Sequence, residues 1–255
     1  MLVAGHVLPA LLCLLRLSLY LDSPSVPPAA GTVERRLSAM GTVLDIRVEG
    51  RDRASALESS EAAAREIARV EALLSTWRPG GPLDRLNAAR PGEPVKIGAE
   101  TAAVLSDVFT WSLRTGGAFD PTVLPLTRAW DLRGAGRIPL EGELSSALAA
   151  TGRRQFALDT AAAMAWRLSA EAGIDEGAWG KGYALDRAAA ALRQAGASSA
   201  LLDLGGQVLV LGRAPEISRL RRRTRPRVGG TSPMIALSVV ERPEPLRPSR
   251  LTTSS

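Results

Sequence analysis

Residues 200–211 read Ala-Leu-Leu-Asp-Leu-Gly-Gly-Gln-Val-Leu-Val-Leu. Two apolar runs flank Gly205-Gly206, so the stretch is strand-like with a bulge or tight bend at the glycines. Working outward, Thr42–Glu49 alternates strictly. Leu44, Ile46 and Val48 fall on one face and Asp45, Arg47 and Glu49 on the other, which predicts a half-buried strand. Helical spacing appears three times. Ala54–Leu74 places Leu57, Ala63, Ile67, Val70 and Leu74 on one stripe, and Pro79-Gly80-Gly81 then turns the chain. Thr101–Arg114 has Val104, Leu105, Val108 and Trp111 as its predicted buried stripe, with Gly116 suited to a left-handed cap. Tyr183–Gln194 is the third helix, again followed by a glycine, Gly196. Residues 131–165 are mixed, with short strands expected at Gln155–Leu158 and Ala165–Leu168. Helices and strands alternate irregularly, with hairpin-like pairs. The fold class is therefore α+β, a largely antiparallel sheet with packed helices, and not a doubly wound parallel sheet.

Composition narrows the chemistry. The chain has 255 residues, 45% apolar and 23% charged, ordinary globular values. Its single histidine and single cysteine, His6 and Cys13, both lie in the first 13 residues. The body cannot hold a Ser-His-Asp triad, a cysteine nucleophile, a Cys/His zinc site or an intrachain disulfide. Carboxylates, Lys or Arg, hydroxyls, backbone groups or a bound hard cation must do its work.

The net charge of +6 is unevenly placed. Residues 213–255 hold ten Arg, no Lys and three Glu, so the body is nearly neutral. The dense run from Arg219 to Arg227 reads as a solvated tail, and it lacks the aromatics of a single-strand platform, so nucleic acid is not an expected partner. Residues 1–22 are mostly apolar, like a secretory leader or anchor, although Arg16 interrupts them and no basic segment precedes them. Pro24, Pro27 and Pro28 mark a linker. The expected organisation is a leader and linker over 1–31, a domain over 32–212 and an Arg/Pro-rich tail over 213–255. The protein belongs at the bacterial cell membrane, on the periplasmic side, if the first segment is an export signal, and otherwise in the cytoplasm.

Four stretches can carry function. Asp175-Glu176-Gly177-Ala178-Trp179-Gly180-Lys181-Gly182 leads into the third helix. Glycine-rich backbone at a helix start offers N–H groups to a phosphate, and Lys181 adds a positive charge. A Walker loop would need a hydroxyl residue where Gly182 stands. The competing reading is a strand-to-helix turn with a surface lysine. In Gly117-Ala118-Phe119-Asp120-Pro121-Thr122, Asp120 is either a ligand-holding carboxylate or an Asx-type turn residue. In Ser75-Thr76-Trp77-Arg78-Pro79, with Leu86-Asn87 following, Trp77 covers an aromatic ligand or packs in the core. The fourth is Leu202-Asp203-Leu204-Gly205-Gly206.

Met40-Gly41-Thr42 followed along the chain by the Ser75, Gly117, Asp175 and Leu202 stretches resembles the ApbE family of flavin transferases, the FAD:protein FMN transferases. The resemblance runs from about Leu37 to Gly212. It implies an ApbE-like fold and a magnesium-dependent transfer of FMN from FAD to a Thr or Ser hydroxyl of an acceptor protein, with release of AMP. Acceptors in the family include flavin-carrying subunits of membrane redox complexes. Carried onto this chain, Met40 and Trp77 would line the FAD site, and Ala118, Phe119 and Asp120 would hold the nucleotide. Asp175 and Lys181 would contact FAD near the diphosphate as the catalytic pair, and the Ala178 carbonyl would be a magnesium ligand.

The chain also departs from the family pattern, which often reads Asp-Leu-Gly-Gly-Ile-Ala-Lys-Gly in this loop. Glu176 replaces the leucine, Ala178 the second glycine, Trp179 the isoleucine and Gly180 the alanine. Glu176 puts a charge where an apolar group is usual, and its desolvation is costly without a partner. After residue 212 the family's later His-x-x-Asp-Pro segment and acidic metal ligands are missing, and Leu251–Ser255 resembles only the start of that region. The expectation is an incomplete C-terminal part. The alternative function is a catalytically impaired, FAD-binding relative.

Overall fold

The computed structural model describes residues 31–212 and the backbone of residues 237–239. The leader, the linker up to residue 30 and the rest of the 213–255 tail lie outside the described residues.

Strands β1 (Thr32–Ala39) and β2 (Thr42–Glu49) form the first hairpin. They are joined by Met40 and Gly41, both at positive φ (49° and 71°), the two-residue turn that suits the twist of a hairpin. The alternation of β2 holds as expected, with Leu44, Ile46 and Val48 each no more than 2% exposed. Helix α1 (Arg53–Leu74) starts at Asp52, whose side chain accepts from the Ser55 amide while Ser55 Oγ accepts from the Asp52 amide, a reciprocal cap. Its buried face runs through Ala56, Ala63, Ile67, Val70 and Leu74. Leu57, expected on that stripe, is exposed, because Ala56 one position earlier takes the core place.

Then come α2 (Pro82–Ala88), β3 (Val95–Lys96) and α3 (Ala99–Arg114). Trp111 was expected in the core and is instead 56% exposed. The buried arc of α3 centres on Leu105, Val108 and Ser112 and includes Phe109, so Trp111 falls at its margin near the helix end. Gly116 adopts the expected left-handed geometry, φ 60°. Helices α4 (Leu124–Ala129) and α5 (Glu141–Ala149) precede the hairpin of β4 (Phe156–Asp159) and β5 (Met164–Arg167). Helix α6 (Gly180–Gln194) packs along α1. It begins three residues earlier than expected, so Lys181 and Gly182 sit in its first turn and not in the preceding loop.

Strands β6 (Ser199–Leu204) and β7 (Gln207–Leu211) close a second tight hairpin. Gly205 and Gly206 are its two turn residues, at φ 63° and 95°, and the ladder continues unbroken on either side. There is no bulge. The main sheet has the order β1-β2-β6-β7-β8, antiparallel throughout except where β8 (Leu237–Val239) lies parallel to β7. That strand carries the sheet past Gly212, the expected end of the domain. The second sheet, β3-β5-β4, is antiparallel.

Both hairpin tips of the main sheet lie together. The Gly205 amide donates to the Val43 carbonyl at 3.0 Å, and a Cβ on Gly205 would meet Thr42 Oγ1 at 2.6 Å. The start of α6 reaches the same end: a Cβ on Gly180 would lie 3.6 Å from Met40 Cε, and one on Gly182 would lie 2.9 Å from Gln207 Nε2.

Candidate functional site

A cavity of about 490 Å³ opens at that end of the sheet, lined by Met40, Glu71, Trp77, Arg78, Glu176 and Lys181 among others. Each wall has a local cause. α1 stops at Ser75, whose amide donates to the Glu71 carbonyl. Ser75 Oγ then accepts from the amides of Trp77 and Arg78 at 3.1 and 3.2 Å, which fixes the turn carrying the indole. Trp77 is 63% exposed, so it is a wall of the cavity and not a core residue. Met40 reaches the cavity from a left-handed turn position, unusual for an unbranched side chain of its size.

The opposite wall is held from beneath. Buried Asn87 on α2 clamps Ile174: its Nδ2 donates to the Ile174 carbonyl at 2.9 Å and its Oδ1 accepts from the Ile174 amide at 2.8 Å. The Asp175 amide donates to the Pro121 carbonyl at 2.8 Å. The Asp120-Pro121 turn and the Asp175 segment are therefore direct neighbours. The Asp175 carboxylate accepts from the Gly177 amide on Oδ1 and from Arg133 Nη2 on Oδ2, at 2.8 and 2.9 Å.

Glu176 is buried, and its cost is met by Thr76, which donates both its amide and its hydroxyl to the carboxylate. The Thr76 hydroxyl accepts in turn from Arg133 Nη2 at 2.7 Å. Buried Glu71 pairs with Arg78 at 3.0 Å. Lys181 differs from all of these. Among the described residues no carboxylate lies within ion-pair distance of its ammonium group, and no acceptor takes it. The amides of Lys181 and Gly182 are likewise without a protein acceptor, as expected for the first turn of a helix. Lys181 lines the cavity, and the two free N–H groups lie beside it at the helix start, an arrangement that favours an anionic ligand.

The structure thus brings Met40, Trp77 and Lys181 to one cavity, with Asp175 behind it. Ala118, Phe119 and Asp120 do not line that cavity. Ala118 is exposed, Phe119 packs partly on the core, and Asp120 Oδ1 accepts from the amide and hydroxyl of Thr122 at 2.8 and 2.6 Å. Asp120 is the Asx-type turn residue, and among the described residues its Oδ2 accepts no hydrogen bond. Thr76, Arg133 and Asn87 were not singled out as site residues by sequence. Only the first and last lie in stretches that drew attention.

Magnesium fits these residues poorly. Its near-octahedral shell usually includes one or two carboxylates. Among the described residues no group of three or more His, Cys, Asp or Glu side chains is placed to hold a metal ion. Asp175 and Glu176 are already engaged by Arg133, Gly177 and Thr76. The carbonyl of exposed Ala178, which accepts no hydrogen bond among the described residues, is the metal donor that the resemblance implies.

An α+β domain of this topology thus brings an exposed tryptophan and the free lysine of a helix start to one cavity. The sequence pattern of the ApbE family matches residues 40–243, and the chain belongs to that family. Among curated relatives it is 27% identical over 190 residues to an FAD:protein FMN transferase of Salmonella typhimurium, covering 72% of this chain and 54% of that one. To an FAD:protein FMN transferase of Rhodobacter capsulatus it is 31% identical over 188 residues, covering 72% of this chain and 35% of that one. The ApbE protein of Thermotoga maritima superposes with a TM-score of 0.66 at 28% identity, covering 72% of this chain and 60% of that one. The apo flavinyl transferase ApbE of Pseudomonas stutzeri, at 22% identity and a TM-score of 0.63 over 72% of this chain and 60% of that one, shares the fold. The chain spans about half the length of the Salmonella relative.

Proposed function

We propose that this chain is an FAD:protein FMN transferase that seats FAD against Met40 and Trp77, with the diphosphate at Lys181. The unpaired Lys181 ammonium group, beside the free amides of the first turn of α6, is the observation that carries the reading. The acceptor's Thr or Ser oxygen attacks the phosphorus of the FMN half. A phosphoester bond forms, the bond from that phosphorus to the bridging oxygen breaks, AMP leaves with the electron pair, and the hydroxyl proton passes to water. Such a transfer needs positioning and charge neutralisation more than covalent help, which a lysine and backbone amides supply. The Asp120-Pro121 turn, bonded to Asp175, extends the site toward the AMP half. In this reading Asp120, with Ala118 and Phe119 beside it, holds that half from outside the cavity that Lys181 lines. The magnesium requirement implied by the family resemblance is left to the test below, because the described residues offer a metal only the Ala178 carbonyl.

The acceptor is a protein with a Thr or Ser flavinylation site, and a subunit of a membrane redox complex on the periplasmic face is the partner proposed. No helix among the described residues is long and apolar enough to cross a membrane. The test is incubation of the full chain with FAD and an acceptor peptide, with and without magnesium, followed by mass spectrometry. The expected result is an FMN adduct with matching AMP. Lys181→Met is expected to slow transfer by about 100-fold or more. No adduct under either condition would refute the activity. Flavin binding without turnover would support the non-catalytic alternative.

A further inference from the structure

Arg133 lies in the loop between α4 and α5, with its side chain 24% exposed, and is not among the residues that line the cavity. Its guanidinium carbon sits 4.1 Å from the centroid of the Trp77 ring. Its two terminal nitrogens are spent on three acceptors. Nη1 donates to the Thr76 carbonyl at 3.1 Å, and Nη2 donates to Thr76 Oγ1 and Asp175 Oδ2 at 2.7 and 2.9 Å. Its Nε is buried without a partner. A buried donor left unsatisfied costs free energy, so the group's position is held by its other contacts. Those contacts tie the residue before Trp77 to Asp175, across the wall of the site, and cover part of the indole. The rest of Trp77 stays open, at 63% exposure.

We infer that Arg133 is a positioning residue: it backs the Trp77 indole so that the ring stands as a fixed wall on which the planar isoalloxazine ring of a flavin stacks. This rests on the reading of the site as a flavin site. An exposed tryptophan after a helix end has several rotamers, and ordering it at the moment of binding weakens affinity. The guanidinium, seated over the ring and anchored by its hydrogen bonds to Thr76 and Asp175, orders it beforehand. Lysine can place a charge over the ring but lacks the planar fork that holds Thr76 and Asp175 together.

The experiment uses the full chain and the variants Arg133→Met, Arg133→Lys and Trp77→Phe. Acrylamide quenching in the free protein, with the Trp77 signal taken as the difference from Trp77→Phe, is expected to rise clearly in Arg133→Met and partly in Arg133→Lys. Titration with FAD, riboflavin and AMP separates the halves of the dinucleotide. Arg133→Met is expected to weaken FAD and riboflavin by about tenfold, the loss expected when one side chain must be ordered on binding, and to leave AMP unchanged. Unchanged Trp77 quenching in both Arg133 variants overturns the inference. So does an equal loss for all three ligands, which would make Arg133 a general source of positive charge. A wild-type chain that binds no FAD refutes the flavin reading instead, and the quenching comparison still decides whether Arg133 holds the indole.

Discussion

The Glu176–Thr76 contact offers a quantitative test of how this chain tolerates a carboxylate in the wall of its site. Glu176 is 7% exposed and accepts both the amide and the hydroxyl of Thr76, while that hydroxyl accepts from Arg133. The hydroxyl therefore has a fixed direction, with Arg133 donating into it and its own proton going to Glu176. Glu176→Gln keeps the shape and reverses one end of this chain. The new amide either donates to an oxygen that already accepts from Arg133, or turns its oxygen there and leaves the Thr76 amide without an acceptor. A hydrogen bond to a charged group contributes about 1.5–3 kcal/mol and a neutral one about 0.5–1.5, so the swap is expected to cost about 1–2 kcal/mol. Thr76→Val, similar in volume, strips the carboxylate of its hydroxyl donor and is expected to cost about 2–3 kcal/mol, because a buried charge is left half satisfied.

Combined, the two substitutions remove both the donor and the charge that needed it. The double variant is expected to fall short of the sum by about 1–2 kcal/mol. Urea denaturation of all four proteins measures this. With a slope of about 2–3 kcal/mol per molar for a domain of this size, the coupling appears as about 0.5 M of non-additivity in the midpoints. Additivity within about 0.3 kcal/mol would refute the reasoning and show that Glu176 is satisfied by water and not by Thr76.

What the sequence made legible follows periodicity. β2 was readable because Leu44, Ile46 and Val48 alternate with charged residues over a full strand. α1 and α6 were readable because their apolar positions recur over more than two turns. Elements too short to show a period were not readable: α2 has seven residues, α4 six and β3 two. Trp111 misled because an aromatic at helical spacing counts as apolar, whereas burial depends on where the rest of the helix centres its face. Gly205-Gly206 read as an interruption of one strand because composition shows that both residues are permissive, not that they join two paired strands. The site divides in the same way. Met40, Trp77 and Lys181 stand in short motifs, and the fold brings them to one cavity. Arg133 has no local signal, since its partners Thr76 and Asp175 lie 57 and 42 residues away. The charge at position 176 looked anomalous in sequence for want of a partner, and only the fold, which seats the Thr76 turn against the start of α6, supplies one.

Two further perturbations separate stability from function. The Tyr183 hydroxyl donates to Glu100 at 2.7 Å, and burial, followed by the Glu100 contact, pushes its pKa up to about 12 from an ordinary value of 10.0. The folded state thus favours the neutral phenol. This contribution is full below the unfolded value and is lost as pH rises toward the folded one, so wild-type urea midpoints should fall between pH 10 and 12 more steeply than those of Tyr183→Phe; parallel profiles would contradict the assignment. Met40 sits at φ 49°, a left-handed conformation that costs a non-glycine residue about 1–2 kcal/mol, yet its side chain packs partly on the core and lines the cavity. Met40→Gly relieves that strain and loses the packing, and these offset, so stability should move by less than about 1 kcal/mol. If the strained turn exists to present a side chain to the flavin, FAD affinity measured by fluorescence titration should nevertheless fall several-fold. A variant equal to wild type in FAD affinity would show that the left-handed methionine serves the β1–β2 turn and nothing beyond it.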